Sequence, residues 1–117
     1  MTNSIHSTDD QFYTLYRDKV HKKIIWGFFW ENELVSVADL NAQAFDLGQV
    51  GGVYTAPQHR QKGYSTSVMK QLLLDAKELH ALRKLIIFTD EKNFPAIKLY
   101  NSLGATPIGH FALLFGK

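Results

Sequence analysis

The sequence predicts a mixed α/β (α+β) fold with its elements in the order α-β-β-β-α-β-α-β. Three observations predict it. The β-branched, aromatic run IIWGFFW at Ile24 to Trp30 is followed, after Glu31-Asn32-Glu33, by the alternation of Leu34 to Leu40, which is the pattern of a hairpin. Val68, Leu72, Ala76 and Leu79 recur at helical spacing and mark one long central helix. Between these, a strand enters a basic, glycine-containing loop at His59 to Gly63 and passes directly into that helix.

The first helix is expected from about Ser7 to Val20, because hydroxyl and acidic residues precede an apolar stripe and Thr8 with Gln11 has capping-box spacing. Phe12, Leu15, Tyr16 and Val20 form the stripe, which is too short to persist without tertiary contacts. A polar stretch with Asn41, Asp46 and Gly48 then leads to a third strand, Gln49 to Thr55, which Pro57 stops. Leu85 to Thr89 reads as a short apolar strand, Pro95 to Leu103 as a helix closed by Gly104, and Thr106 to Phe115 as a single last strand.

The 117 residues suffice for one domain, 1–117, with its own core. Thirteen Lys and Arg against eleven Asp and Glu give +2 with the signs interspersed, which argues against a nucleic-acid partner. With no cysteine, thiolate metal sites, disulfides and thiol nucleophiles are excluded, and a cytoplasmic setting fits. Met1 to Asp10 is polar, and no apolar run has the length of a membrane span, so no membrane partner is expected. No histidine pair has metal-ligand spacing on a shared helix face, so no metal is expected.

The first chemical signal is V-Y-T-A-P-Q-H-R-Q-K-G-Y-S, Val53 to Ser65. The unpaired N–H groups of a helix start, with the helix dipole, suit phosphate oxygens; glycine permits close approach, and Arg60 and Lys62 add positive charge. The spacings G-x-x-x-x-G-K-S/T and G-x-G-x-x-G are both absent. The second signal is N-F-P-A-I-K-L-Y-N-S-L-G, Asn93 to Gly104, where Ala96, Leu99 and Leu103 form a stripe that docks a helix and Asn93 can cap it. Read without further context, Asn93 is equally a simple cap and Tyr100 a half-buried packing residue.

Arg60-x-x-Gly63-x-Ser65 resembles the R/Q-x-x-G-x-G/A motif of the GNAT superfamily of N-acyltransferases, with Ser65 departing from the usual Gly or Ala. Asn93 to Gly104 is similar to that superfamily's N-x-x-A-x-x-L-Y-x-x-L-G, and V-Y-T-x-P is nearest its glycine-N-acyltransferase-like branch. The resemblance implies an abbreviated GNAT fold, with a mostly antiparallel central sheet and helices on both faces. It implies acetyl-CoA as donor, its pyrophosphate over Gln61 to Ser65, its pantetheine along Val53, Tyr54 and Thr55, and further contacts from Arg60, Lys62, Gly63, Tyr64 and Asn93.

It further implies transfer to a primary amine by direct attack in a ternary complex, with a backbone N–H near Val53 to Thr55 on the carbonyl and Tyr100 as acid toward the thiolate. No base is assigned: the region offers Gln49, with Asp39, Asp46 and His110 farther away, or a water relay. His59 reads as an anion contact, and His6, His21 and His80 as surface residues. Only about twenty residues precede Ile24, so the acceptor side is abbreviated: an open groove, a partner subunit or a longer architecture would complete it. The acceptor is a small-molecule or peptide amine, and a homodimer is expected because Phe28, Phe29 and Trp30 cannot all face one side of a sheet. The competing reading is a non-catalytic acyl-CoA-binding or interaction module, which the missing carboxylate base favours and Asn93 with Tyr100 disfavours.

Overall fold

A computed structural model of the chain describes residues 2–3, 17–109 and 112–116. The elements are β1 (Thr2–Asn3), helix α1 described over residues 17–21, β2 (Ile25–Trp30), β3 (Glu33–Ala44), β4 (Leu47–Thr55), α2 (Tyr64–His80), β5 (Lys84–Phe88), α3 (Phe94–Ser102), β6 (Thr106–Pro107) and β7 (Ala112–Phe115). One seven-stranded sheet has the order β1-β2-β3-β4-β5-β7-β6. Every neighbouring pair is antiparallel except β4 and β5. The chain therefore adopts the mixed α/β fold with a mostly antiparallel sheet.

Helices lie on both faces of that sheet. On one face the Trp26 indole of β2 donates to Asp75 Oδ2 of α2 at 2.9 Å, and Phe28 stacks on Tyr64 with ring centroids 4.7 Å apart. On the other face, Lys19 of α1 donates to the Asp39 carboxylate of β3. The core lies between sheet and α2, where Trp26, Ala38, Leu40, Val50, Val68, Met69 and Leu72 are at most 2% exposed. Burying side chains of this size is the main favourable term in folding, at about 25 cal/mol per Å² of apolar surface.

The β2–β3 hairpin turns on Glu31 and Asn32 with φ of 50° and 65°, the left-handed pair that matches the twist of two antiparallel strands. Several sequence expectations are corrected. The polar stretch after Leu40 is not a loop: β3 continues to Ala44, and a two-residue turn at Phe45 and Asp46 leads straight into β4, because strand pairing satisfies the backbone of Asn41–Ala44 whatever its polarity. Leu79 is 56% exposed, and Met69 takes the expected place on the buried face of α2. The last strand is two, β6 and β7, paired with each other so that Pro107 falls in a two-residue strand at the sheet edge. Trp26 and Phe28 are core residues, Phe29 is half-buried, and Trp30 is 52% exposed. The first-helix residues Thr8, Gln11, Phe12, Leu15 and Tyr16 lie outside the described residues, as do His6 and His110.

Candidate functional site

The parallel ladder of β4 and β5 runs only from Leu47↔Lys84 to Val50↔Ile87. Beyond it β4 carries an extra residue opposite Val37–Asp39, and Gly52 in that bulge has φ of +59°, a backbone glycine adopts without cost. A bulge bends and twists its strand. Here it coincides with the point where β4 leaves β5, so Tyr54 and Thr55 stay paired to β3 on one edge while Val53–Thr55 border a cleft on the other.

That cleft encloses about 590 Å³ and is lined from three sides. Val53, Tyr54 and Thr55 come from β4; Arg60 and Gln61 come from the loop; Gly63, Tyr64 and Ser65 start α2; Asn93 and Tyr100 belong to α3. Ten of the eleven residues expected to bind the cofactor or act in transfer thus meet in one space, Lys62 does not line it, and His59, expected as an anion contact, does. Thr66 and Pro95 line the cleft as well and were missed; each adjoins a chosen residue in the first turn of its helix. Ala96 and Leu99, expected only to dock α3, are half-buried and also face the cleft.

The start of α2 suits an anion. Gly63 is its N-cap in the left-handed conformation at φ +82°, no side chain caps the helix, and its first turn holds no acidic residue. The N–H groups of that turn and the positive end of the dipole are left for a ligand. A Cβ built on Gly63 would meet nothing within 4 Å, so open space stands over the loop. Arg60 donates from Nε to the Thr55 carbonyl at 3.0 Å and lies 5.9 Å over the Tyr54 ring, which fixes a guanidinium on the rim. Ser65 Oγ is hydrogen-bonded to Thr55 Oγ1, which in turn is 2.7 Å from Ser36 Oγ.

His59, read as an anion contact, has its Nε2 3.2 Å from Glu33 Oε1, while its buried Nδ1 has no partner among the described residues. His80 meets the Lys23 carbonyl at 2.9 Å, tying the end of α2 to the turn before β2.

On α3, Asn93 Oδ1 accepts from the Ala96 N–H at 3.3 Å, Pro95 occupies the first turn, and Gly104 at φ +100° follows the last turn. Tyr100 is 4% exposed, and its ring meets Phe115 edge-on at 6.4 Å. Burial pushes its hydroxyl above the ordinary value of 10.0, which keeps the group protonated and able to donate. None of the carboxylates considered as base lines the cleft: Asp39 is paired with Lys19, and Asp46 Oδ2 lies 4.0 Å from Arg83 Nε at the β3–β4 turn. Among the described residues no cluster could hold a metal, and no helix is long and apolar enough to cross a membrane.

No curated protein matches the chain by sequence. Among solved structures it resembles ribosomal-protein-alanine N-acetyltransferase from Brucella melitensis, at 18% identity over 90% of this chain and 74% of that one, with a TM-score of 0.73. It resembles an N-acetyltransferase from Staphylococcus aureus at 17% identity over 92% and 74% of the two chains, TM-score 0.72. It also resembles a chimeric spermidine N-acetyltransferase from Vibrio cholerae at 14% identity over 98% and 94%, TM-score 0.75. At such identities the likeness shows a shared fold. The model of the Acetyltransferase (GNAT) family matches residues 2–105, a span that includes β4, the loop, α2 and α3 and therefore every wall of the cleft. On that match the chain belongs to the GNAT acetyltransferase family.

Proposed function

We propose that the chain moves an acetyl group from acetyl-CoA to a primary amine, on a small molecule or a peptide, with donor and acceptor bound together. One observation carries the reading: a single cleft joins a strand edge free of β5, an uncapped helix start and a buried tyrosine. The family is one of acyltransferases, which supports acyl transfer in general.

The residues fit coenzyme A. The open space over Gly63 and the uncapped N–H groups of Tyr64 and Ser65 suit a pyrophosphate, with Gln61 and Arg60 beside it and the Lys62 charge on the same loop. Val53, Tyr54 and Thr55 offer main-chain groups to an amide-bearing arm, and Asn93 offers an amide from the opposite wall. The bound thioester supplies an activated carbonyl carbon and a thiol leaving group. Toward these, main-chain N–H groups near Val53–Thr55 stabilise the developing oxyanion, and the Tyr100 hydroxyl donates to the departing sulfur. The half-buried Ala96 and Leu99 help exclude water from this space.

Calorimetry with coenzyme A and a thiol-release assay with acetyl-CoA and a panel of primary amines test the reading. Binding together with amine-dependent release of thiol is expected. Binding without release on any amine would instead support a non-catalytic acyl-CoA-binding module, a reading favoured by the lack of a carboxylate among the described residues that line the cleft. The homodimer belongs to the same proposal, supported by the exposure of Trp30 on β2, and a monomeric mass at high micromolar concentration would remove it.

A further inference from the structure

The split between β4 and β5 opens toward both faces of the sheet. α2 and α3 occupy one face, where Ser65 is bonded to Thr55 and the Tyr100 ring meets Phe115, and the walls of the cleft stand there. An acceptor bound together with the donor therefore approaches the split from the opposite face.

Strand register shows what that face presents. Ile86 pairs with Leu114 and Phe88 with Ala112, and these four side chains alternate with Leu85, Ile87, Leu113 and Phe115, which are buried beneath the helices. Phe88 is the first residue of β5 beyond the last β4–β5 pair, Val50↔Ile87, so it stands at the head of the split. It is 55% exposed, and Ile86, Ala112 and Leu114 are partly exposed. Tyr54 shares this face with Gly51 and also lines the cleft, so strip and cleft meet at the split.

Size and charge select the occupant. Three residues on each of two strands make a strip about 10 Å square, at about 3.3 Å per residue and about 4.8 Å between strands. That matches one small ring with its tether and falls far short of the roughly 800 Å² per partner of a stable protein interface. Among the described residues of β4, β5 and β7, this face carries a single charged side chain, the cation Lys84. Of the carboxylates flanking the split, Asp39 is nine-tenths buried against Lys19, and Asp90 closes the turn before α3 by accepting the Lys92 N–H at 2.8 Å. A string of ammonium groups would meet Lys84 without a carboxylate to pair with; an apolar body bearing one amine would not.

We propose that this strip, with Phe88 at its head, holds the apolar body of the acceptor, so that the substrate class is a monoamine on an aromatic or branched aliphatic group rather than a polyamine. The inference rests on the acyl-transfer reading and names its acceptor class. Phe88 is the specificity-determining residue: its ring meets the body of the acceptor while the amine reaches into the split.

The test is a methyl NMR titration of the full chain with 2-phenylethylammonium chloride, compared with ethylammonium chloride and with spermidine. Saturable shifts at the Ile86 and Leu114 methyl groups are expected with 2-phenylethylammonium, at concentrations at least ten-fold below those the other two amines require. Phe88→Ala should weaken that binding ten-fold or more, and in the thiol-release assay should lower kcat/KM for 2-phenylethylamine mainly through KM. Spermidine binding equally well at these methyl groups, methyl groups silent to every amine, or wild-type binding by Phe88→Ala would each overturn the proposal. The comparison of the three amines needs no variant, so it stands even if Phe88→Ala does not fold. Thiol release from no amine, with the methyl shifts intact, would sink the acyl-transfer reading and leave the strip as a site for an apolar amine.

Discussion

Thr55 Oγ1 and Ser65 Oγ share a hydrogen bond that ties the last residue of β4 to the first turn of α2. With Ser36 it makes a chain of three hydroxyls through the wall of the cleft, and Ser36 and Thr55 are buried. This explains why a serine stands where the family motif carries glycine or alanine: the extra oxygen is used inside the protein, fixing the helix start against the strand that ends beside it.

Ser65→Ala should therefore destabilise the fold by about 1 kcal/mol, the usual net worth of one such bond, with Thr55 still bonded to Ser36. Urea unfolding with unchanged m-value measures it. A stability equal to wild type would mean the hydroxyl pair adds nothing to the joint.

Gly63 separates strain from ligand space. Its φ of +82° disfavours other residues, yet a Cβ there would touch nothing within 4 Å. Gly63→Asn, which tolerates the left-handed conformation, should cost about 1 kcal/mol or less. It should nonetheless weaken coenzyme A binding by about ten-fold or more, equivalent to about 1.4 kcal/mol, because its side chain enters the space the pyrophosphate would take. Unchanged affinity in calorimetry would remove the pyrophosphate from this loop.

Tyr100→Phe should lower turnover by roughly ten-fold to a thousand-fold with coenzyme A affinity nearly constant, since a donor to the leaving group acts in the transition state. Full turnover in this variant would leave Tyr100 as a packing residue. The raised pKa of the hydroxyl has a stability consequence of definite sign. The unfolded chain loses this proton near the ordinary value of 10.0 and the folded chain only at higher pH, so the stability it contributes is present below 10.0 and declines as pH rises from there through the folded value. Between pH 10 and that higher value the wild type should lose stability more steeply than Tyr100→Phe, measured by unfolding at matched pH.

Ala81 caps α2 with φ of 54° and ψ of 33°, the left-handed conformation, while the following N–H of Leu82 reaches the Ala76 carbonyl at 3.0 Å. This is a glycine position filled by alanine. Ala81→Gly should stabilise the chain by about 0.5 kcal/mol, the relief of backbone strain less the added freedom of the unfolded chain. A lower melting temperature would show that the alanine methyl contributes packing that outweighs the strain.

Much of the site was legible because its parts are local. Val53 to Ser65 encodes strand, turn and helix start within thirteen positions, and Asn93 with Gly104 marks both ends of α3 by cap chemistry that acts over one turn. Leu79 and Met69 were not legible in the same way. Both keep apolar character and acceptable spacing on α2, yet Met69 is buried and Leu79 exposed, an outcome set by packing against distant elements rather than by spacing along the helix. The split of Thr106–Phe115 into β6 and β7 depends likewise on pairing with β5, and β1 exists through its partner β2, with Thr2↔Phe28 and Asn3↔Gly27 in register.

By itself the sequence determined the order of elements from the β2–β3 hairpin through α3, the caps of α3 and the residue types gathered around the cleft, because periodicity, glycine geometry and capping are properties of neighbouring residues. The tertiary structure alone decided where β4 leaves β5, that Ser65 bonds Thr55, and that Asp39 Oδ1 lies beside Gly51 and Gly52 without a partner among the described residues. Each of these depends on groups distant in the chain meeting across strands, and sequence spacing does not encode the register that brings them together.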